Sequence, residues 1–194
     1  MYAYLKGRFE YMSPALVHMD INGVGYELHI SLHTYSQIQN LEEGKLFTYL
    51  QIKEDGHSLF GFYEKSEKEM FVNLIGVSGI GAATARMMLS SQKPAEISRA
   101  IVQGNIKLLE SIKGIGRKTA ERLVLELKEK MGKINTGTQF LSASGNNLET
   151  DALNALSALG ISSQQAGQSI QKVILAEPEI TQLEELIKKA LKAI

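Results

Sequence analysis

The chain contains no cysteine. Disulfides, thiolate catalysis and cysteine-based metal sites are therefore excluded, and the composition suits a reducing compartment. Only three aspartates occur, Asp20, Asp55 and Asp151, and they lie in different neighbourhoods. That is a thin supply for a two-metal nuclease, although glutamates would supplement it. No uncharged apolar stretch reaches the length of a membrane span. The start, Met1 to Arg8, lacks the basic-then-apolar plan of a signal peptide, so a cytoplasmic protein is expected. No phosphate-binding loop ending in Gly-Lys-Ser or Gly-Lys-Thr is present, which excludes an ATPase of that type. No nucleophile stands with a base.

Net charge is also lacking: 21 basic side chains balance 21 acidic ones. The distribution is uneven, and for nucleic-acid binding it matters more than the total. Residues 1–63 carry 4 basic and 7 acidic side chains, residues 64–134 carry 13 and 8, and residues 135–194 carry 4 and 6. The positive charge is gathered in the middle of the chain.

That middle segment says one phrase twice. Ser78-Gly79-Ile80-Gly81-Ala82-Ala83-Thr84-Ala85 recurs 35 residues later as Lys113-Gly114-Ile115-Gly116-Arg117-Lys118-Thr119-Ala120. Val77 and Ile112 precede the two copies, and an apolar helical run follows each. Glycine permits a tight turn and close backbone approach. Ile80 and Ile115 would plug the turn into the core. The first amides of the following helix have no intrahelical partner and sit at the positive end of its dipole, which suits a phosphate. Thr84 and Thr119 lie in the first turn and can donate further bonds. Helical spacing also precedes each copy, with Met70, Phe71, Leu74 and Ile75 before the first and Ile106, Leu108, Leu109 and Ile112 before the second. The pattern is helix, hairpin, helix, twice, with one more helix over about Ala95 to Val102. One glycine motif alone would read as a turn between packed helices. Two in matching contexts point to a module that grips both strands of a duplex. Lys113, Arg117, Lys118 and Arg122 surround the second turn, whereas Ala82 and Ala83 occupy the matching places in the first. The second hairpin is therefore expected to supply more electrostatic affinity.

The flanking segments differ. Residues 1–63 predict five strands, over Tyr2–Tyr11, Ala15–Ile21, Gly25–Ser31, Lys45–Glu54 and Ser58–Tyr63, with hairpin signals at Asn22-Gly23 and Asp55-Gly56. Five short strands suggest a small closed barrel of the oligonucleotide-binding (OB) type. Its many aromatics read mainly as core or subunit interface. Residues 64–132 form the tandem hairpin module. Residues 133–147 are rich in Gly, Asn, Thr and Ser and predict a flexible linker. Residues 148–194 predict three short helices, the first carrying Ala152, Leu153, Leu156 and Leu159 on one stripe and closed by Gly160, the second capped by Ser162 or Ser163. The fold class is α+β multidomain: an N-terminal five-stranded OB-type barrel, a tandem helix-hairpin-helix domain, a linker and a small three-helix domain. His29 and His33 stand four apart in an alternating stretch and read as polar surface histidines. By chemistry alone, Glu54 and Asp55 are a solvated hairpin turn.

Over essentially its whole length the chain resembles the bacterial RuvA family, the junction-binding subunits of the Holliday junction branch migration complex. The resemblance is carried by Gly23-Val24-Gly25-Tyr26-Glu27, by Lys53-Glu54-Asp55 followed by Leu59-Phe60-Gly61-Phe62, by both Gly-Ile-Gly hairpins through Arg122, and by Ala158-Leu159-Gly160 in the tail. It implies a homotetramer that holds a four-way junction open, one arm per subunit. It implies phosphate binding by Gly79, Ile80, Gly81 and Thr84 in the first hairpin, and by Lys113, Gly114, Ile115, Gly116, Arg117, Lys118, Thr119 and Arg122 in the second. It assigns Glu54 and Asp55 to an acidic pin at the crossover, and Leu156, Leu159 and Ile161 to binding a hexameric RuvB-type ATPase. It also leaves room for a junction resolvase as a further partner, and implies no cofactor, no metal and no catalysis. The enzyme alternative is a helix-hairpin-helix repair nuclease or glycosylase. A second alternative is a single-strand-binding barrel protein.

Overall fold

The computed structural model describes residues 2–54, 56–139 and 147–193. The chain divides into two compact units, Met1–Thr136 and Gly137–Ile194.

The first unit opens with strands β1 (Tyr4–Ser13), β2 (Leu16–Ile21) and β3 (Val24–His29), then helix α1 (Leu32–Ile38), then β4 (Glu43–Lys53) and β5 (Gly56–Phe62). The strands close in the order β1-β2-β3-β5-β4, with β1 pairing to β4. This is the five-stranded OB-type barrel that the alternation predicts. Asn22 (φ 53°) and Gly23 (φ 86°) take the left-handed conformations of a two-residue hairpin, and Ile21 pairs with Val24 across it. A register shift between Phe9 and Tyr11 lets β1 bend from β4 onto β2. At Gly7 the strands come so close that a methyl group would lie 2.1 Å from the Asp20 carbonyl oxygen. Leu5, Val17, Met19, Leu28, Ile30, Ile38 and Leu46 fill the barrel.

The third strand, expected to run to Ser31, ends at His29, and helix α1, which the strand alternation does not predict, follows from Leu32. Ser31 instead caps the helix, its hydroxyl accepting from the Thr34 amide at 3.0 Å. Beyond the barrel come α2 (Lys65–Ile75), α3 (Ala82–Ser91), α4 (Pro94–Gln103), α5 (Ile106–Glu110) and α6 (Arg117–Gln139). Phe60 and Phe62 of β5 pack into the helical core with Phe71, Leu74, Met88, Ile101 and Leu123. The barrel and the hairpin helices therefore share buried surface. The backbone of α6 is helical to Gln139, well into the stretch that composition assigns to a linker. Residues 140–146 of that stretch lie outside the described residues.

The second unit holds α7 (Asn147–Ala158), α8 (Ser163–Ala176) and α9 (Leu183–Lys192), packed through Ala152, Leu156, Ala166, Ile170, Val173, Leu186 and Ala190. Gly160 (φ 90°) ends α7, and the Ser162 hydroxyl accepts from the Gln165 amide to start α8. Both caps match the sequence reading. No helix among the described residues is long and apolar enough to cross a membrane.

Candidate nucleic-acid interface

The two Gly-Ile-Gly turns have the same backbone. Gly79 and Gly114 both adopt φ 92°. The Ile80 amide donates to the Val77 carbonyl at 3.1 Å, and the Ile115 amide to Ile112 at 3.0 Å. In the helices that follow, Ala85 donates to Gly81 and Ala120 to Gly116, both at 2.9 Å. The amides of residues 82–84 and 117–119 thus precede the first intrahelical donors and remain available to a ligand. Ile80 and Ile115 are buried plugs, while Gly79, Gly81, Gly114 and Gly116 are exposed. The repeat read from the sequence is a repeat of geometry.

The turns also lie side by side. A methyl group on Gly114 would lie 3.8 Å from the Thr84 Cγ2 atom. Arg122, in α6, donates from Nη1 to the Ser78 carbonyl at 3.3 Å. The first-turn amides of two helices and a set of cations are thereby gathered on one surface, the donor set that backbone phosphates require.

The cations are not equivalent. Lys113, Arg117, Lys118 and Arg122 are all exposed, and Thr84 and Thr119 are half-buried. Arg117 pairs with Glu121 at 3.0 Å and Arg122 with Glu126 at 3.7 Å. Lys113 and Lys118 make no ion pair among the described residues. In the first hairpin Ala82 is buried against the helical core, and Ala83 is exposed. A long side chain at residue 82 would have no room, so the two hairpins differ by packing as well as by charge.

The other sequence-assigned residues lie elsewhere. Glu54 is exposed in the turn between β4 and β5, where Lys53 pairs with Gly56. Asp55 lies outside the described residues. Leu159 is 64% exposed and Ile161 is partly buried, but Leu156 is fully buried in the core of the second unit. Leu156 and Leu159 do not share a stripe, because α7 ends at Ala158 and the chain turns away through Gly160. Leu156 packs in the core of its unit rather than on its surface.

The histidines depart from expectation as well. His29 is half-buried with its ring 5.5 Å from that of Phe60, and burial, aided by Arg86, lowers its pKa. His33 is half-buried on α1, and its Nε2 atom has no hydrogen-bond partner among the described residues. Among the described residues no three metal-capable side chains gather into one group. A polar network at Glu67 escaped the sequence reading altogether. Its one local signal was Ser31 three residues before Thr34, a helix start masked by strand alternation.

Three family models match in chain order. The RuvA N-terminal domain covers residues 1–61, a SAM-like tandem helix-hairpin-helix covers residues 71–129, and the RuvA C-terminal domain covers residues 147–194. Among similar curated proteins, one from Christiangramia forsetii is 44% identical over 194 residues, spanning all of both chains. One from Flavobacterium psychrophilum is 47% identical over 192 residues and one from Cytophaga hutchinsonii 43% over 197, each covering 99% of both chains. All three carry the name Holliday junction branch migration complex subunit RuvA. With this identity over its full length and all three domains in order, the chain belongs to the RuvA family.

Proposed function

We propose that this chain is the DNA-binding subunit of a Holliday junction branch migration complex. It binds four-way junctions by their structure, holds them open and works with a partner motor. It is not itself an enzyme, and ATP hydrolysis belongs to the motor, a hexameric RuvB-type ATPase. One observation carries the reading: two matching Gly-Ile-Gly turns lie side by side with free helix amides and the exposed cations Lys113 and Lys118, which make no ion pair among the described residues. Such a surface holds backbone phosphates and reads no bases, which suits a ligand recognised by shape. The nuclease and glycosylase alternative has no support in the family to which the chain belongs.

Several finer roles accompany this reading. The subunit acts as a homotetramer, because four equivalent arms match four-fold closure. Phosphates are held by Gly79, Ile80, Gly81 and Thr84, and by residues 113–119 with Arg122. Glu54, with Asp55, forms an acidic pin that repels phosphates at the crossover. Leu159 and Ile161 meet the motor, with Leu156 supporting them from the core. The complex works in the cytoplasm, where a junction resolvase is a further partner.

The test is a gel-shift titration against an immobile four-way junction, with an equal-length duplex as competitor, in defined salt without magnesium. Strong junction preference in discrete bands supports the reading. Equal affinity for the two DNAs refutes it.

A further inference from the structure

Glu67 is a fully buried carboxylate, outside the proposed phosphate surface and without a Lys or Arg partner among the described residues. Both of its oxygens are occupied. The Ser31 hydroxyl donates to Oε1, and the Thr34 hydroxyl donates to Oε2 at 2.6 Å. Each hydroxyl accepts a backbone amide in turn: Thr34 N–H donates to Ser31 Oγ, and Tyr63 N–H to Thr34 Oγ1, both at 3.0 Å. The titratable groups that face the carboxylate are His33 of α1 and Glu64 at the start of α2.

The placement of these groups gives the network its meaning. Ser31 and Thr34 start α1, the helix between barrel strands β3 and β4. Tyr63 ends the barrel, and Glu67 lies in the first turn of α2, which leads through Gly76 into the first Gly-Ile-Gly turn. The four residues therefore bolt the barrel to the hairpin module. A buried charge is expensive, and an apolar residue of similar volume would stabilise the fold as well or better. Directional bonds do what apolar contact does not: they fix one orientation of α2 against α1.

We infer that Glu67 is a positioning residue for junction recognition, holding the hairpin module at one orientation on the barrel so that the phosphate-gripping turns and the β4–β5 turn engage the same junction. The inference rests on the function proposed above. Glu67 touches no DNA, since it is sealed in the interior. A linear duplex needs only the two adjacent turns, which lie within one module. A junction needs the turns and the barrel in fixed relation. Loss of the bolt therefore separates the two affinities.

The experiment uses the full-length protein and compares wild type with Glu67→Gln, Ser31→Ala, Thr34→Val and the conservative Thr34→Ser. Affinities for an immobile four-way junction and an equal-length duplex are measured in one buffer, with circular dichroism confirming the folded state at the assay temperature. The expected result for Glu67→Gln, Ser31→Ala and Thr34→Val is a fall of about tenfold in the junction-to-duplex ratio, the scale of one hydrogen bond to a charged group. Duplex affinity holds and Thr34→Ser keeps the ratio. An unchanged ratio in the folded variants overturns the inference, as does an equal loss for both DNAs. If Glu67→Gln does not fold, Ser31→Ala and Thr34→Val decide. If none of the three folds, Glu67 is a determinant of folding and the positioning role is overturned. A wild-type protein without junction preference instead overturns the proposed function, an outcome read before any variant is compared.

Discussion

Neutralising Lys113 and Lys118 probes the interface most directly. Both are exposed beside the second turn, and neither is held by an ion pair among the described residues. Arg117 is shared with Glu121 at 3.0 Å. Each lysine that meets a duplex phosphate displaces counterions and contributes about 0.9 to the slope of log affinity against log salt. The double variant Lys113→Ala, Lys118→Ala should therefore lose about 1.8 from that slope for each duplex arm engaged. Between about 50 and 200 mM salt, wild-type affinity then falls about twelvefold further than that of the variant. Arg117→Ala should change the slope less, because Glu121 already offsets that charge. The assay is fluorescence anisotropy of a labelled duplex across a salt series, repeated with a junction. Weaker binding with an unchanged slope would refute phosphate contact and assign the lysines to the shape of the turn.

Three further outcomes are expected. Gly7→Ala places a methyl group 2.1 Å from the Asp20 carbonyl oxygen, so β1 and β2 must part, and thermal unfolding followed by circular dichroism should lose most of its stability; a native midpoint would contradict the register. Leu156→Ala should cost the second unit about 2–5 kcal/mol in chemical denaturation. Leu159→Ala should cost no more than about 0.5 kcal/mol yet weaken capture of the motor, and equal destabilisation by both would refute the assignment of core and surface. Burial holds the Glu67 carboxyl above the usual carboxylate range, against the hydrogen bonds from Ser31 and Thr34. A raised folded-state pKa stabilises the fold at pH below the unfolded value, and that stabilisation is lost as pH rises through the folded value. Denaturation midpoints of wild type should therefore fall relative to Glu67→Gln as pH rises from about 4, and parallel profiles would refute the shift.

Much of this molecule is written locally. Gly79 and Gly114 specify their turns because a positive φ is cheap for glycine, so the 35-residue repeat is visible without a structure. Asn22-Gly23 fixes the register of β2 on β3 by the same kind of local chemistry. Gly160 and Ser162 end and begin helices through their own backbone and side-chain bonds. The extent of α6 was less legible, because extending an existing helix costs far less than starting one, and composition alone favoured a linker from residue 133.

The sequence by itself determined the hairpins, the order of the segments and the strand alternation, since each depends on residues a few positions apart. Only the tertiary structure decided that the two turns lie side by side, that Ala82 is covered while Arg117 is exposed, and that Leu156 is core while Leu159 is surface. It alone brought Glu67 to Ser31 and Thr34 across more than thirty residues of chain. Those facts depend on which surfaces meet, and no local pattern encodes the partner across a packed interface.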